Sequence, residues 1–223
     1  MAITPAQVED AAARWNLAST AAPVLDRLAA YGNLLLHWNA RFALTAIRDE
    51  SELVERHLME GIFAAAHHPE VATALDFGSG TGVPGIVIAL CRPELQVTLA
   101  ESQRKKASFL AEAVRQLRLN TTVHAGRAET LPPGSFNAVW MRAVEKSPAM
   151  LPVAASLVSR VFHVERPRNG WLCLFGTATS PNLDRLKEWT WERHPLPDSS
   201  ARVLYLGQIS RVFHVEQKAT FVV

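Results

Sequence analysis

The chain has 223 residues, 48% of them apolar and 20% charged, with a formal net charge of +2. That length suits one globular unit able to bury a sizeable core without staples. No apolar run is long enough to span a membrane, and so small a positive charge permits a nucleic-acid partner without arguing for one.

The first elements read as helices. Thr4, Pro5 and Gln7 have the pattern of a capping box with proline at the first helical position. They replace the basic-then-apolar signature of a secretory leader. Val24, Leu28, Tyr31, Leu35 and Trp38 recur at helical steps and form one apolar stripe. Asp49 reads as an N-cap with Glu52 three residues on, ahead of Leu53, Leu58 and Ile62. Residues 1–70 are therefore expected to form a helical N-terminal extension. Residues 71–223 are expected to form the core, the two parts making one structural domain.

From residue 71 short apolar runs alternate with helical stretches. Strands are expected at 73–77, 96–100, 121–125, 138–142, 170–175 and 202–208, and helices at 84–91, 103–118, 147–158 and 182–191. This order predicts an α/β fold, with a mostly parallel sheet covered by helices on both faces. The heptapeptide SRVFHVE occurs at 159–165 and again at 210–216. Two copies are too few for a solenoid, and their alternation suits a pair of surface strands. Cys91 and Cys173 both lie in apolar runs and read as reduced core residues of a cytosolic protein. The eight histidines show no metal-ligand spacing, so no metal is expected.

The chemistry concentrates in LDFGSGTGVPGIVIAL, residues 75–90. A glycine-rich turn between a strand and a helix lets backbone approach a ligand and aims the helix N–H groups at it. A P-loop would need Gly-Lys-Ser/Thr, which is absent. Residues 80–85 match the dinucleotide pattern G-x-G-x-x-G. S-adenosylmethionine is the other candidate. Asp76 at the strand end would help position its ammonium, and backbone near Gly78 and Gly80 would approach its carboxylate. Glu101, at the tip of the next strand, would accept the ribose hydroxyls of either cofactor. Asp76 directly ahead of glycines at 78, 80 and 82 favours the methyl donor.

Several separated stretches then coincide with one family: HWNARFALTAIRD (37–49), ERHLMEGI (55–62), the run 75–110, GRAE (126–129) and VWMRAV (139–144). Over roughly residues 20–208 the sequence resembles the bacterial 16S ribosomal RNA guanine-N7 methyltransferases, the RsmG/GidB group. The resemblance implies a class I Rossmann-like methyltransferase fold with a helical N-terminal extension. It also implies methyl transfer from S-adenosylmethionine to a guanine of the small-subunit RNA near the decoding site. By the same resemblance, Gly78, Gly80 and Val83 would line the methionine and ribose side of the cofactor, with Glu101 at the ribose and Ala128 and Glu129 bordering the adenine. Arg142, at the fourth strand's tip, would lie near cofactor and target base. Asn39, Arg41, Thr45, Arg56 and His57 would face the same mouth from the extension. The sequence departs from the family at Phe175, where a lysine is usual. The last strand also lacks the usual lysines, and the first heptapeptide copy lengthens the connection into the fifth strand.

Guanine N7 carries a lone pair and no proton, so its methylation needs orientation rather than a general base. Arg142 is the residue expected to position the substrate. Arg104, Lys105 and Lys106 follow Glu101 and form a candidate phosphate contact with the RNA. Lys146, Arg160, Arg166 or Arg168 would replace the missing lysine from nearby loops. The expected partner is 16S rRNA or the small ribosomal subunit, met in the cytoplasm by a monomer that does not engage a membrane. Three other readings stay open at this stage: a methyltransferase acting on a small molecule, a cofactor-binding relative without turnover, and a nicotinamide oxidoreductase, for which the sequence offers no catalytic group.

Overall fold

In the computed structural model the described residues are 2–17, 22–142, 148–160, 170–179, 183–197 and 199–209. Helix α1 (Pro5–Arg14) starts at Thr4, whose side chain accepts from Gln7 N while Gln7 answers to the Thr4 backbone, closing the expected capping box. Helix α2 (Ala22–Phe42) buries Leu28, Tyr31 and Leu35 along the stripe the sequence marks. Asp49 caps α3 (Glu50–Glu52) by accepting from Ser51 N and Glu52 N. The chain then runs through a π-helical stretch, Leu53–Leu58, into α4 (Met59–Ala66). Such π segments widen one turn and shift the side chains they carry, here Arg56 and His57.

Among the described residues seven strands follow: β1 (Thr73–Phe77), β2 (Gln96–Ala100), β3 (Thr121–His124), β4 (Ala138–Met141), β5 (Trp171–Thr177), β6 (Trp189–Pro195) and β7 (Arg202–Ile209). They form one sheet in the order β3-β2-β1-β4-β5-β7-β6. The first five are parallel, β7 runs antiparallel to β5, and β6 runs antiparallel to β7. Helices α5 (Gly85–Cys91), α6 (Arg104–Gln116) and α7 (Leu151–Leu157) connect them.

Alternation along the strands divides the core in two. Ala74, Trp140, Cys173 and Phe175 join one apolar cluster with the N-terminal helices, α5 and α6. Leu75, Val139, Met141, Leu172 and Leu174 join another, covered by α7. The N-terminal helices thus share this core, packing chiefly against one another and against α5 and α6, and bury apolar area that would otherwise meet water.

Two expectations need correction. The helix expected at 182–191 is, over the described residues 183–191, a single 3₁₀ turn (Leu183–Arg185) leading into β6. Leu183 and Leu186 mimic helical spacing, but Trp189 and Trp191 alternate with polar residues and pair with β7. The helix expected at 147–158 is, where described, a 3₁₀ turn (Pro148–Met150) followed by the shorter α7. Cys173 is buried as expected, whereas Cys91 is only half-buried; both are free thiols. The heptapeptide copies lie outside the described residues except for Ser159 and Arg160. Among the described residues no helix is long and apolar enough to cross a membrane.

Candidate active site

The strand order reverses at β1, with β2 on one side and β4 on the other. Ligands of open α/β sheets bind outside the carboxyl ends of the strands at such a switch point. A cleft of about 530 Å³ opens there. Its lining comes from the loop after β1 (Gly78, Ser79, Gly80, Thr81, Val83), the tips of β4 and β5, the first residue of β7, Lys106 of α6, and Thr45, Arg56 and His57 of the extension.

The loop is held from three sides. Ser79 N donates to Ala100 O at 2.9 Å and Gly82 N to Ser79 O at 2.7 Å. Glu101 accepts from Gly80 N at 2.8 Å through one oxygen and from Gln103 N at 2.7 Å through the other. From the extension, the Tyr31 hydroxyl donates to Thr81 O at 2.6 Å. Burial pushes that phenol far above its usual pKa, so it stays a donor. Gly78 and Gly80 hold φ of +70° and +58°, where side chains are disfavoured. A Cβ on Gly78 would meet nothing within 4 Å, and one on Gly80 would meet only Gly78 O at 3.9 Å. The loop therefore presents bare backbone to open space in the cleft, as close approach of a ligand requires.

Asp76 lies beneath this loop rather than in it. It is 2% exposed and accepts from Gly85 N at 3.1 Å, fastening α5 to β1. Burial drives its carboxyl up to about 7; the Gly85 N–H and Arg142 oppose that rise, and the charge of Glu101 adds to it. Ala128 is buried in a 3₁₀ turn (Ala128–Thr130) after β3, and exposed Glu129 pairs with Arg127 at 3.5 Å.

The structure gathers some of the expected residues and separates others. Gly78, Gly80, Val83, Arg56, His57, Lys106, Thr45 and Arg142 share the cleft. Asp76, Glu101, Ala128, Glu129, Arg104, Lys105 and Arg41 do not line it. Asn39 is corrected: it is buried, its Nδ2 donates to Ile47 O and its Oδ1 accepts from Thr45 N. With both amide ends spent on that loop, Asn39 shapes the wall carrying Thr45 and is no contact for RNA. Arg56 pairs with Glu52 at 2.9 Å. His57 is 6% exposed with its Nδ1 unpartnered, and burial together with three nearby arginines lowers its pKa to about 3, so it is neutral. Phe175 is buried in β5 and packs against Trp140 with ring centroids 6.2 Å apart. Of the four basic residues expected to replace the lysine, Arg160 pairs with Glu188 at 3.2 Å; the others lie outside the described residues.

Two further residues belong to the site: Glu60, inside the shared stretch ERHLMEGI but given no role from it, and Arg202, which lies in none of the shared stretches. Glu60 of α4 is 0% exposed, and both of its oxygens are taken. Arg142 Nε donates to one at 2.9 Å and Arg202 to the other. Arg202 reaches this edge because β7 is antiparallel, which sets its first residue opposite Thr177, the last of β5. One clue to Glu60 was present: it is the single charge between His57 and His67 in an otherwise apolar helix, and a buried carboxylate requires a partner.

Comparison with known proteins bears on the same features. Solved structures with this architecture include TYW2 from M. jannaschii in complex with AdoMet, at TM-score 0.56 and 15% identity, covering 70% of this chain and 76% of that one. A SAM dependent methyltransferase from Aquifex aeolicus aligns at TM-score 0.54 and 15% identity, over 72% and 94%. At that identity they speak for the fold, a class I methyltransferase-like sheet. Sequence relatives are closer. The Ribosomal RNA small subunit methyltransferase G of Xanthomonas euvesicatoria pv. vesicatoria is 40% identical over 185 residues, 80% of this chain and 81% of the relative. That of Methylobacillus flagellatus is 40% identical over 164 residues, 73% and 76%. The model of the GidB family, described as rRNA small subunit methyltransferase G, matches residues 24–164, more than half of the chain. The chain therefore belongs to the GidB family, rRNA small subunit methyltransferase G.

Proposed function

We propose that this chain transfers a methyl group from S-adenosylmethionine to N7 of a guanine in 16S rRNA near the decoding site. The observation that carries the reading is the loop after β1: two glycines at positive φ with open space where side chains would project, at the switch point of a sheet whose family methylates small-subunit RNA.

The cofactor supplies a sulfonium-activated methyl group; the protein's part is to bind and orient. Backbone at Gly78 and Gly80 accommodates the methionine end, with Val83 as an apolar wall. Glu101, already steadied by Gly80 N and Gln103 N, keeps carboxylate lone pairs for the ribose hydroxyls. Ala128 and Glu129 border the adenine. Asp76 acts from beneath the loop, fixing the helix start and setting a negative charge near the cationic end of the ligand when ionised. Thr81, tied to Tyr31, makes the extension part of the cofactor's seat. For this reason we regard residues 1–70 and 71–223 as one working unit.

Guanine N7 has no proton to lose, so no general base is required, and neutral His57 is not asked to be one. Arg142 positions the substrate. The positive charge that leaves sulfur arrives on the guanine ring, so a guanidinium pressed against that ring would oppose the reaction. Arg142 therefore works best on a group that stays anionic. The lysine missing at Phe175 is offset by Arg202, which brings a cation to the same sheet edge. Lys106 and Arg56 line the cleft and are the remaining candidates for phosphate contact, with Arg41, Arg104 and Lys105 farther out. The substrate is 16S rRNA or the small subunit, engaged in the cytoplasm by a monomer that needs no membrane. Mass spectrometry of ribosomal RNA from cells lacking this chain tests the proposal: one methylguanine should disappear from the small-subunit RNA, and an unchanged set of methylguanines would refute it.

A further inference from the structure

Glu60 is the one charge in the apolar helix α4, and it joins three distant segments at the floor of the cleft. It lies entirely inside the protein, with Arg142 of the β4 tip on one oxygen at 2.9 Å and Arg202 of β7 on the other. A carboxylate buried this deeply needs cationic partners, but those partners need not face a cleft. Here Arg142 and Arg202 keep about a quarter of their side-chain surface exposed (23% and 27%), and both line the cleft, while the carboxylate does not. The carboxylate sits behind the two guanidinium groups, holds each through one nitrogen and sets a single negative charge against their two positive ones. Around them the lining holds two more cations, Arg56 and Lys106, and among the described residues no Asp or Glu. Arg56 is paired with Glu52 at 2.9 Å, so the side chains that reach the cleft floor with hydrogen-bond donors for an anion are chiefly Arg142, Arg202 and Lys106.

Two groups of an RNA substrate compete for such a floor. The acceptor edge of the guanine would bring the ring against two cations just as it acquires positive charge. A phosphodiester keeps its negative charge throughout, and its paired oxygens match the guanidinium fork. Resting on the function proposed above, we propose that Glu60 is a positioning residue: it holds Arg142 and Arg202 as a two-guanidinium seat for a phosphate of the RNA strand beside the target base.

Glu60→Gln separates this from simple charge. Removing a negative charge makes the cleft more positive, so charge alone predicts tighter RNA binding. The seat predicts the reverse, because an amide accepts from one arginine and turns its NH₂ against the other. With the full chain and small ribosomal subunits as substrate, Glu60→Gln should raise KM for the subunit about tenfold or more. The salt dependence of RNA affinity should lose about one phosphate contact. Affinity for S-adenosylmethionine by calorimetry should stay within about threefold, and Glu60→Asp, which keeps the charge, should recover part of the loss. An unchanged or lowered KM in Glu60→Gln overturns the seat. If Glu60→Gln gives no cooperative melting transition, Arg202→Lys decides: it keeps an ion pair with Glu60 but loses the fork, so KM should again rise about tenfold, and an unchanged KM overturns the proposal. Wild-type chain that methylates no subunit RNA would sink the function itself, whereas wild-type transfer with indifferent variants would sink this inference alone.

Discussion

Asp76 makes the stability of this protein depend on pH in a direction opposite to that of most carboxylates. Its folded-state pKa is raised from an ordinary 3.8 to about 7. Between those values the folded chain holds a proton that the unfolded chain has released. Stability attributable to Asp76 is therefore fully present below pH 4, falls through pH 4–7, and stays low above. At about 1.4 kcal/mol per pH unit, the window corresponds to roughly 4 kcal/mol as an upper bound. Buried His57 and His68, whose pKa values are lowered to about 3 and 4, pull the other way, since the unfolded chain protonates first as pH drops. Their effect cancels in a difference between two variants. Asp76→Asn keeps an acceptor for Gly85 N and removes the titration. Urea unfolding of both proteins from pH 4.5 to 8 should yield curves that diverge, with the asparagine variant gaining about 2–4 kcal/mol on wild type at the alkaline end. Parallel curves would refute the claim that Asp76 is buried against its charge.

Other outcomes follow from the same geometry. Calorimetric affinity of wild type for S-adenosylmethionine should increase from pH 6 to 8 as Asp76 ionises against a cationic ligand, and Asp76→Asn should flatten that rise. Gly80→Val should abolish cofactor binding, because its branched side chain fills open cleft at a φ that costs about 1–2 kcal/mol for an L-residue; normal binding by this variant would remove the loop from the site. Glu101→Ala should weaken cofactor binding by roughly 1–3 kcal/mol, and wild-type affinity there would refute the ribose assignment. Tyr31→Phe should cost about 1 kcal/mol of stability by stranding Thr81 O and loosen cofactor binding several-fold. An unaltered Kd would confine the extension to a structural role.

Legibility in the sequence followed the range of the interactions. The parallel strands were readable because each is a short apolar run between turn residues, and β1 and β2 fall at the expected limits, 73–77 and 96–100. The capping residues Thr4 and Asp49 were readable because a cap is satisfied within three residues. Strand β6 was not, because Leu183 and Leu186 imitate a helical turn while the pairing that decides the matter lies on β7. The glycine loop and Glu101 announced themselves by local spacing. Glu60 and Arg202 did not: their partnership spans 142 residues and depends on β7 running antiparallel. Asn39 shows the converse error. It sits in a stretch shared with the family, but the backbone of the loop it packs against claims both ends of its amide.

The central claim is that the cleft beside Gly78 and Gly80 delivers a methyl group to a purine nitrogen of small-subunit RNA. Purified chain, small subunits from cells lacking it, and S-adenosylmethionine carrying a labelled methyl group test this directly. Nuclease digestion and mass spectrometry should find the label in 7-methylguanosine at one position of the 16S rRNA. Label confined to another base, to protein, or to no product would contradict it.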